Sequence, residues 1–434
     1  MKIFFYSVII LFISSANLNA QTGTRIKMKI DALKGQYTEL WTYYGKETIF
    51  IDSIRFGENG LANYYNKKGL LEGVYRVVLP NTNSFELIVS EPKIFLHTDL
   101  ITPYKSMTIK KSEENKIYYE YRKYILSQRT ITNNLISQHK EGTLSTNDFS
   151  NQMKIENQKI KQYKLNLIAQ HDGKLVADLL KAGMNPEIDT TSKEPYADYL
   201  NKYLNQINYK NTALLRSPVL DTRTVEYVDL LVAPFPQEKI KAIDNIFSQC
   251  NKEIKTYLIE RFIEKYEGLQ TVGYDEIFSH LVKNYLEETN YSNKRKNILR
   301  EKETAISFFL RGNAFKIKGI EERELIDSIK AKYTLVIIWD ERLSTKQLEL
   351  LYDFSQSYAP YDLKVLAITL ANDFSKLNIG QEKKWTNLKG DQSLRKELMM
   401  DDALMLILLD KDKKVLARDI SLDFLVDTID AWEK

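Results

Sequence analysis

The hydrophobic period of this chain changes twice along its length, and that pattern limits it to three kinds of structure in succession. Up to residue 111 the apolar residues recur in short runs with strand character. Thr38–Tyr44 is rich in β-branched and aromatic types, Thr48–Ile54 alternates in part, and Gly73–Leu79 alternates until Pro80-Asn81 breaks it. Phe85–Val89 and Lys93–His97 complete the set, with Gly57 and Gly60 marking a turn. Short strands separated by turn residues at regular spacing predict a β-sandwich over 21–111. From 112 to 311 the period becomes helical, through Tyr118, Tyr121, Ile125 and Leu126, then Leu165, Ile168, Leu175, Leu179 and Leu180. Ile243, Phe247, Cys250, Ile254 and Leu258 form a further apolar stripe. Pro186, Pro195, Pro218, Pro234 and Pro236 fall between the patterns and separate helices, so the segment is expected to be all-α.

From 312 to 434 the pattern changes again. Thr334–Trp339 is a continuous apolar run, as expected of a strand covered on both faces. A helical pattern opens at Ser344, a second buried strand spans Lys364–Leu370, and a third spans Leu404–Leu409. Asp410-Lys411-Asp412-Lys413 reads as a turn rather than a calcium loop, because Ca²⁺ needs six or more oxygen ligands. Lys414–Ala417 returns as a fourth strand, and Leu422–Trp432 closes as an amphipathic helix. This order, β-α-β-α-β-β-α, predicts a layered α/β domain. The chain is thus expected to be multi-domain: a β-sandwich, an all-α domain and an α/β domain.

The first twenty residues stand outside this scheme. Lys2 precedes an apolar stretch from Ile3 to Ile13, and Leu18-Asn19-Ala20 offers small-residue cleavage before Gln21. That is the pattern of a secretory signal peptide over 1–20, too short for a comfortable membrane span. No Cys follows the apolar stretch, so no lipoprotein anchor is expected, and no later run suggests a spanning helix. The charge balance, 62 Lys+Arg against 58 Asp+Glu, contains no basic stripe of the kind nucleic-acid binding requires. One cysteine, Cys250, allows no internal disulfide, and four scattered His predict no zinc site and no metal. No Gly-rich phosphate loop or Ser/His/Asp signature points to a cofactor or a hydrolase.

The last segment resembles the thioredoxin family. In that family a strand ending in an aromatic-Trp pair runs into a turn carrying Cys-x-x-Cys at a helix N-terminus. Val336-Ile337-Ile338-Trp339-Asp340 is similar to that strand end, and the register then places Leu343-Ser344-Thr345-Lys346 where the motif would lie. Leu404 stands at the place of the family's cis-proline, where a non-proline residue is expected to keep a trans peptide. Arg311-Gly312-Asn313-Ala314-Phe315-Lys316-Ile317 resembles the Gly-x-x-Ala-Pro-x-Phe entry of such domains without its proline. Leu214–Leu220, Pro234-Phe235-Pro236 and Tyr266-Glu267 resemble an uncharacterised helical domain that precedes such modules. Ile51–Ile54 and Gly73-Val74-Tyr75 resemble the N-terminal sandwich that accompanies it. The resemblance implies export in a Gram-negative bacterium, to the periplasm or cell envelope. It also implies a groove beside the motif that receives extended polypeptide, and hence a protein or peptide partner.

The residues themselves argue against thiol chemistry, since dithiol exchange needs a thiolate and a resolving partner and neither motif position carries sulfur. Ser344 reads as a helix N-cap, with Thr345 as the fallback. Cys250 reads as a small core hydrophobe. Trp339 reads as a core or rim aromatic, while Asp340, Glu341 and Arg342 form a candidate binding rim or simply a solvated loop. Two alternatives to a non-catalytic binding protein stay open. One is a thiol–disulfide or peroxidase role carried by fold analogy. The other is glycan binding by the sandwich, suggested by Tyr43-Tyr44, Tyr64-Tyr65 and Tyr118-Tyr119-x-Tyr121.

Overall fold

The computed structural model describes residues 23–268, 273–307, 310–315, 323–370, 385–390, 392–398, 400 and 402–418, with 421, 422, 425, 426 and 429. It has an N-terminal β-sheet region, a central helical region and a C-terminal mixed α/β sheet. Two compact units share the chain: one takes residues up to Asn185 together with Gln206–Thr222, the other Pro186–Asn205 together with Arg223–Lys434.

The first unit holds eight strands: β1 (Thr24–Lys29), β2 (Tyr37–Tyr44), β3 (Glu47–Arg55), β4 (Leu61–Asn66), β5 (Gly73–Val78), β6 (Ser84–Val89), β7 (Lys93–His97) and β8 (Thr108–Lys111). They form two four-stranded sheets, ordered β4-β1-β7-β8 and β3-β2-β5-β6. Alternate residues of both sheets, among them Ile26, Met28, Leu40, Val77, Leu87 and Ile94, join one apolar cluster. The strand at Thr24–Lys29 escapes the sequence reading because its apolar residues alternate with Arg25, Lys27 and Lys29 and form no run. Tyr64 and Tyr65 divide as a strand requires, the first buried and the second exposed.

Two long helices, Glu113–Lys140 and Thr146–Gln170, follow in the same unit. The start of the first is a polar hub. Ser112 holds a positive φ of 118° and caps the helix by accepting from the Asn115 backbone N–H at 3.2 Å. The Asn115 side chain, fully buried, accepts from Ile88 N–H at 2.8 Å and donates to Ile88 C=O at 2.7 Å. It thereby takes the place of a neighbouring strand on the edge strand β6, which would otherwise be left with unpaired backbone groups. Glu114 accepts from Val176 N–H at 2.7 Å, tying in the helix Leu175–Ala182.

In the second unit, Pro195 and Pro236 each open a helix, where a missing N–H costs nothing. The stripe from Ile243 to Leu258 is not one helix. Asn251 accepts from Ile254 N–H at 2.9 Å and starts Lys252–Glu267, so Pro236–Gln249 ends before it. Cys250 lies between the two helices with extended backbone and is half-buried, with Sγ 3.2 Å from Ile246 O, rather than packed on a continuous face. Glycine is required at 273, where φ is +82° and a Cβ would stand 2.3 Å from Pro236 Cγ.

The C-terminal sheet contains β9 (Tyr333–Trp339), β10 (Leu363–Thr369), β11 (Thr386–Lys389), β12 (Leu404–Leu409) and β13 (Val415–Arg418), in the order β11-β10-β9-β12-β13. β9, β10 and β11 run parallel, whereas β12 pairs antiparallel with β9 and β13 with β12. This is a thioredoxin-like strand order. Alternate residues of β9 enter two clusters, Val336 and Ile338 on one face and Leu335, Ile337 and Trp339 on the other. A strand buried on both faces explains its unbroken apolar sequence. β11 adds a short edge strand absent from the sequence reading. The excursion expected over 373–399 is described only from 385 onward, and the closing helix lies largely outside the described residues.

Candidate functional site

The carboxyl end of β9 is where the sequence placed its candidate residues, and four separate segments converge there. Trp339 ends the strand opposite Leu404, the first residue of β12. Leu370 N–H donates to Trp339 C=O at 2.7 Å, and Asp340 N–H donates to Ala403 C=O at 3.1 Å. The turn closes through Leu343 N–H to Asp340 C=O at 3.2 Å. Leu343 is fully buried, while Ser344, Thr345 and Lys346 are exposed. No cis peptide bond occurs among the described residues, so Leu404 is joined in trans.

Ser344 is the N-cap of the helix Thr345–Ser357. Its Oγ accepts from Gln347 N–H at 3.3 Å, and Gln347 Oε1 accepts from Ser344 N–H at 3.0 Å, which completes a reciprocal capping box. The hydroxyl is thus engaged in holding the first turn. Trp339 is 1% exposed and belongs to the apolar cluster, and its Nε1–H meets no acceptor among the described residues.

Asp340 departs from the expected solvated loop. It is 2% exposed, and its carboxylate is filled with donors. Oδ1 accepts from Arg342 N–H at 2.9 Å, Oδ2 accepts from Arg342 Nη2 at 2.9 Å, and Arg395 Nη1 also donates to Oδ2. Burial alone would raise this carboxyl. The hydrogen bonds from Arg342 and the charges of both guanidiniums outweigh it and hold the group below the usual carboxylate range. The same pairing, opposed by desolvation, holds the Arg342 guanidinium above its ordinary value. Glu341 remains exposed.

Arg395, from the short helix Ser393–Glu397, was not legible in the sequence. It is separated from Asp340 by 55 residues, and no local motif links the two. Among the described residues the arrangement brings no thiol to this strand end. Its polar groups are spent on one another, and the chain's single cysteine, Cys250, is far away in sequence. With one cysteine no Cys-x-x-Cys pair exists, which accords with the absence of dithiol redox catalysis. Among the described residues no group of three or more His, Cys, Asp or Glu is placed to hold a metal, and no helix is long and apolar enough to cross a membrane.

No family model matches this sequence, and no curated protein does. Several solved structures are similar to it at low scores. A thioredoxin-like protein from Bacteroides caccae is 15% identical, over 58% of this chain and 92% of that one, with a TM-score of 0.33. The thioredoxin domain of a thiol-disulfide oxidoreductase from Bacteroides vulgatus is 16% identical, over 28% and 96%, with a TM-score of 0.24. A thiol-disulfide oxidoreductase from Bacteroides fragilis is 19% identical, over 23% and 81%, with a TM-score of 0.21. The strand order given above rests on hydrogen-bond register, not on these likenesses.

Proposed function

We propose that this chain is an exported, non-catalytic envelope protein of a Gram-negative bacterium, and that its C-terminal module binds a polypeptide partner beside Leu343–Lys346. In this reading residues 1–20 are a signal peptide, 21–111 a β-sandwich, 112–311 a helical domain and 312–434 the thioredoxin-like module. The observation that carries it is the rebuilt end of β9. Where redox relatives need a thiolate, this chain has a buried leucine, a capping serine and a carboxylate held by two arginines. A rigid, chemically inert strand end is suited to recognition. Of the segment Trp339–Arg342, the exposed Glu341 and Arg342 form the proposed rim, with half-buried Leu404 across from it, while buried Trp339 and Asp340 support them from beneath.

The test is site-specific photo-crosslinking from Thr345 and Lys346 in the full chain, expressed in its own host. Crosslinks to a discrete polypeptide from these positions, and none from Glu349 one helical turn further on, are the expected result. Equal crosslinking from all three positions, or none, refutes the site. Purified protein is expected to leave insulin disulfides and peroxide unreacted. Turnover that disappears in Cys250→Ser would establish the redox alternative instead.

A further inference from the structure

The outer face of the sheet β4-β1-β7-β8 carries a concentration of positive charge that the linear sequence conceals. Along β1 the inward residues Ile26 and Met28 are fully buried, so Arg25, Lys27 and Lys29 share the opposite face, about 6.6 Å apart in sequence order. Register brings further cations beside them. Lys93 on β7 lies opposite Arg25, and Lys111 on β8 lies opposite Phe95, which is itself opposite Lys27. Lys29 is paired with Asp31 at 2.7 Å, but Arg25, Lys27, Lys93 and Lys111 have no ion pair among the described residues.

Like charges directly opposite in a sheet are destabilising, so the Arg25–Lys93 pair works against the fold. Such a face is complementary to a polyanion. Two rings lie among the cations, with Arg25 5.4 Å from the Tyr65 centroid and Lys27 5.8 Å from that of Phe95. Further hydrogen-bonding groups alternate with them: Asn63, His97 and Thr108 are all exposed, with His97 Nε2 3.7 Å from Asp31.

We propose that this face binds an acidic polysaccharide. Carboxylates along the polymer pair with Arg25, Lys27, Lys93 and Lys111. Sugar C–H faces rest on Tyr65 and Phe95, and hydroxyls bond to Asn63, His97 and Thr108. A lipid surface is the poorer match, because Tyr65 is the one exposed ring among these cations and, among the described residues, no cluster of exposed apolar side chains accompanies it to enter a bilayer. A nucleic acid is poorer because only Tyr65 is exposed, at 56%, while Phe95 is half-buried, so the face offers no run of aromatic platforms for successive bases. This inference does not depend on the peptide-binding reading, which concerns the other compact unit.

Affinity electrophoresis of the full mature chain through polygalacturonate tests it, with dextran, phosphatidylglycerol vesicles and a single-stranded oligonucleotide as the other arms. Retardation by polygalacturonate alone is expected, weakening as salt rises from about 50 to 200 mM. Lys27→Gln and Lys93→Gln are each expected to weaken it about two- to fivefold. Lys93→Gln removes a like-charge contact, so this variant is expected to melt no lower than the parent while binding less. No retardation, equal retardation by dextran, preference for vesicles or oligonucleotide, or unchanged binding in both variants would overturn the proposal.

Discussion

Replacing Asp340 with Asn tests whether the end of β9 is held by charge. The substitution keeps the shape and keeps one oxygen able to accept from Arg342 N–H, now at 2.9 Å. It removes the negative charge and turns an amide donor toward guanidinium donors. Arg342 is half exposed, so water replaces much of its share and it adds little to the cost. The side chain of Arg395 is 27% exposed, and its charge-assisted bond carries most of the loss. Such bonds contribute about 1.5–3 kcal/mol, so we expect a loss of about 2 kcal/mol in the C-terminal unit. That corresponds to about 4–8 °C in melting temperature for a unit of this size. Urea titration followed by tryptophan emission reads it, with Trp339 adjacent to the altered residue.

The pH dependence gives a second signature. The folded carboxyl lies below its unfolded value, so its stabilisation is fully present above the unfolded pKa, near 4, and is lost as pH falls through the folded one. The gap between parent and Asp340→Asn is therefore expected to stay constant from pH 7 to about 5 and to close below about 4. A variant within about 0.5 kcal/mol of the parent at pH 7 would refute the reasoning. So would strict additivity with Arg395→Met in a double-mutant cycle.

Asn115→Ala leaves Ile88 N–H and C=O buried without their partner and is expected to cost about 2–5 kcal/mol in thermal or urea unfolding. Asn115→Asp puts a carboxylate oxygen against the same carbonyl, so its penalty at pH 7 is expected to shrink toward pH 4 as protonation restores a donor. Ser344→Ala is expected to cost about 1 kcal/mol by the same assays, through loss of the capping box, while Ser344→Asp is expected to restore most of it. Gly273→Ala forces a side chain into a left-handed backbone and onto Pro236, and is expected to lower stability by more than about 2 kcal/mol.

Much of this architecture was legible wherever one local period dominates. β9 is readable because both of its faces are buried and no polar residue interrupts it. Ser344 is readable because a cap is defined within four residues. Arg395 is not readable, because its partner lies in another segment and only the chain path brings them together. The burial of Asp340 was missed for the same reason: a charged residue after a strand looks solvated until its counter-ions arrive from elsewhere. The stripe through Cys250 misled because helical spacing continues across Asn251, whose side chain starts a new helix. Arg25, Lys27 and Lys29 form no basic run, yet alternation places them on one face, and pairing with β7 and β8 adds the rest.

The path of the chain through its two compact units bears on how such a protein can be altered by recombination. Residues 186–205 belong with the C-terminal part, and 206–222 return to the N-terminal part. A gene exchange with one junction cannot separate the two units: a junction after residue 222 carries the first unit whole but takes 186–205 of the second with it, and one after 185 carries the second whole with 206–222 of the first. Transfer of one unit without the other needs three junctions, at 185/186, 205/206 and 222/223. The two units are thus inherited together more readily than a simple order of segments along the sequence would suggest.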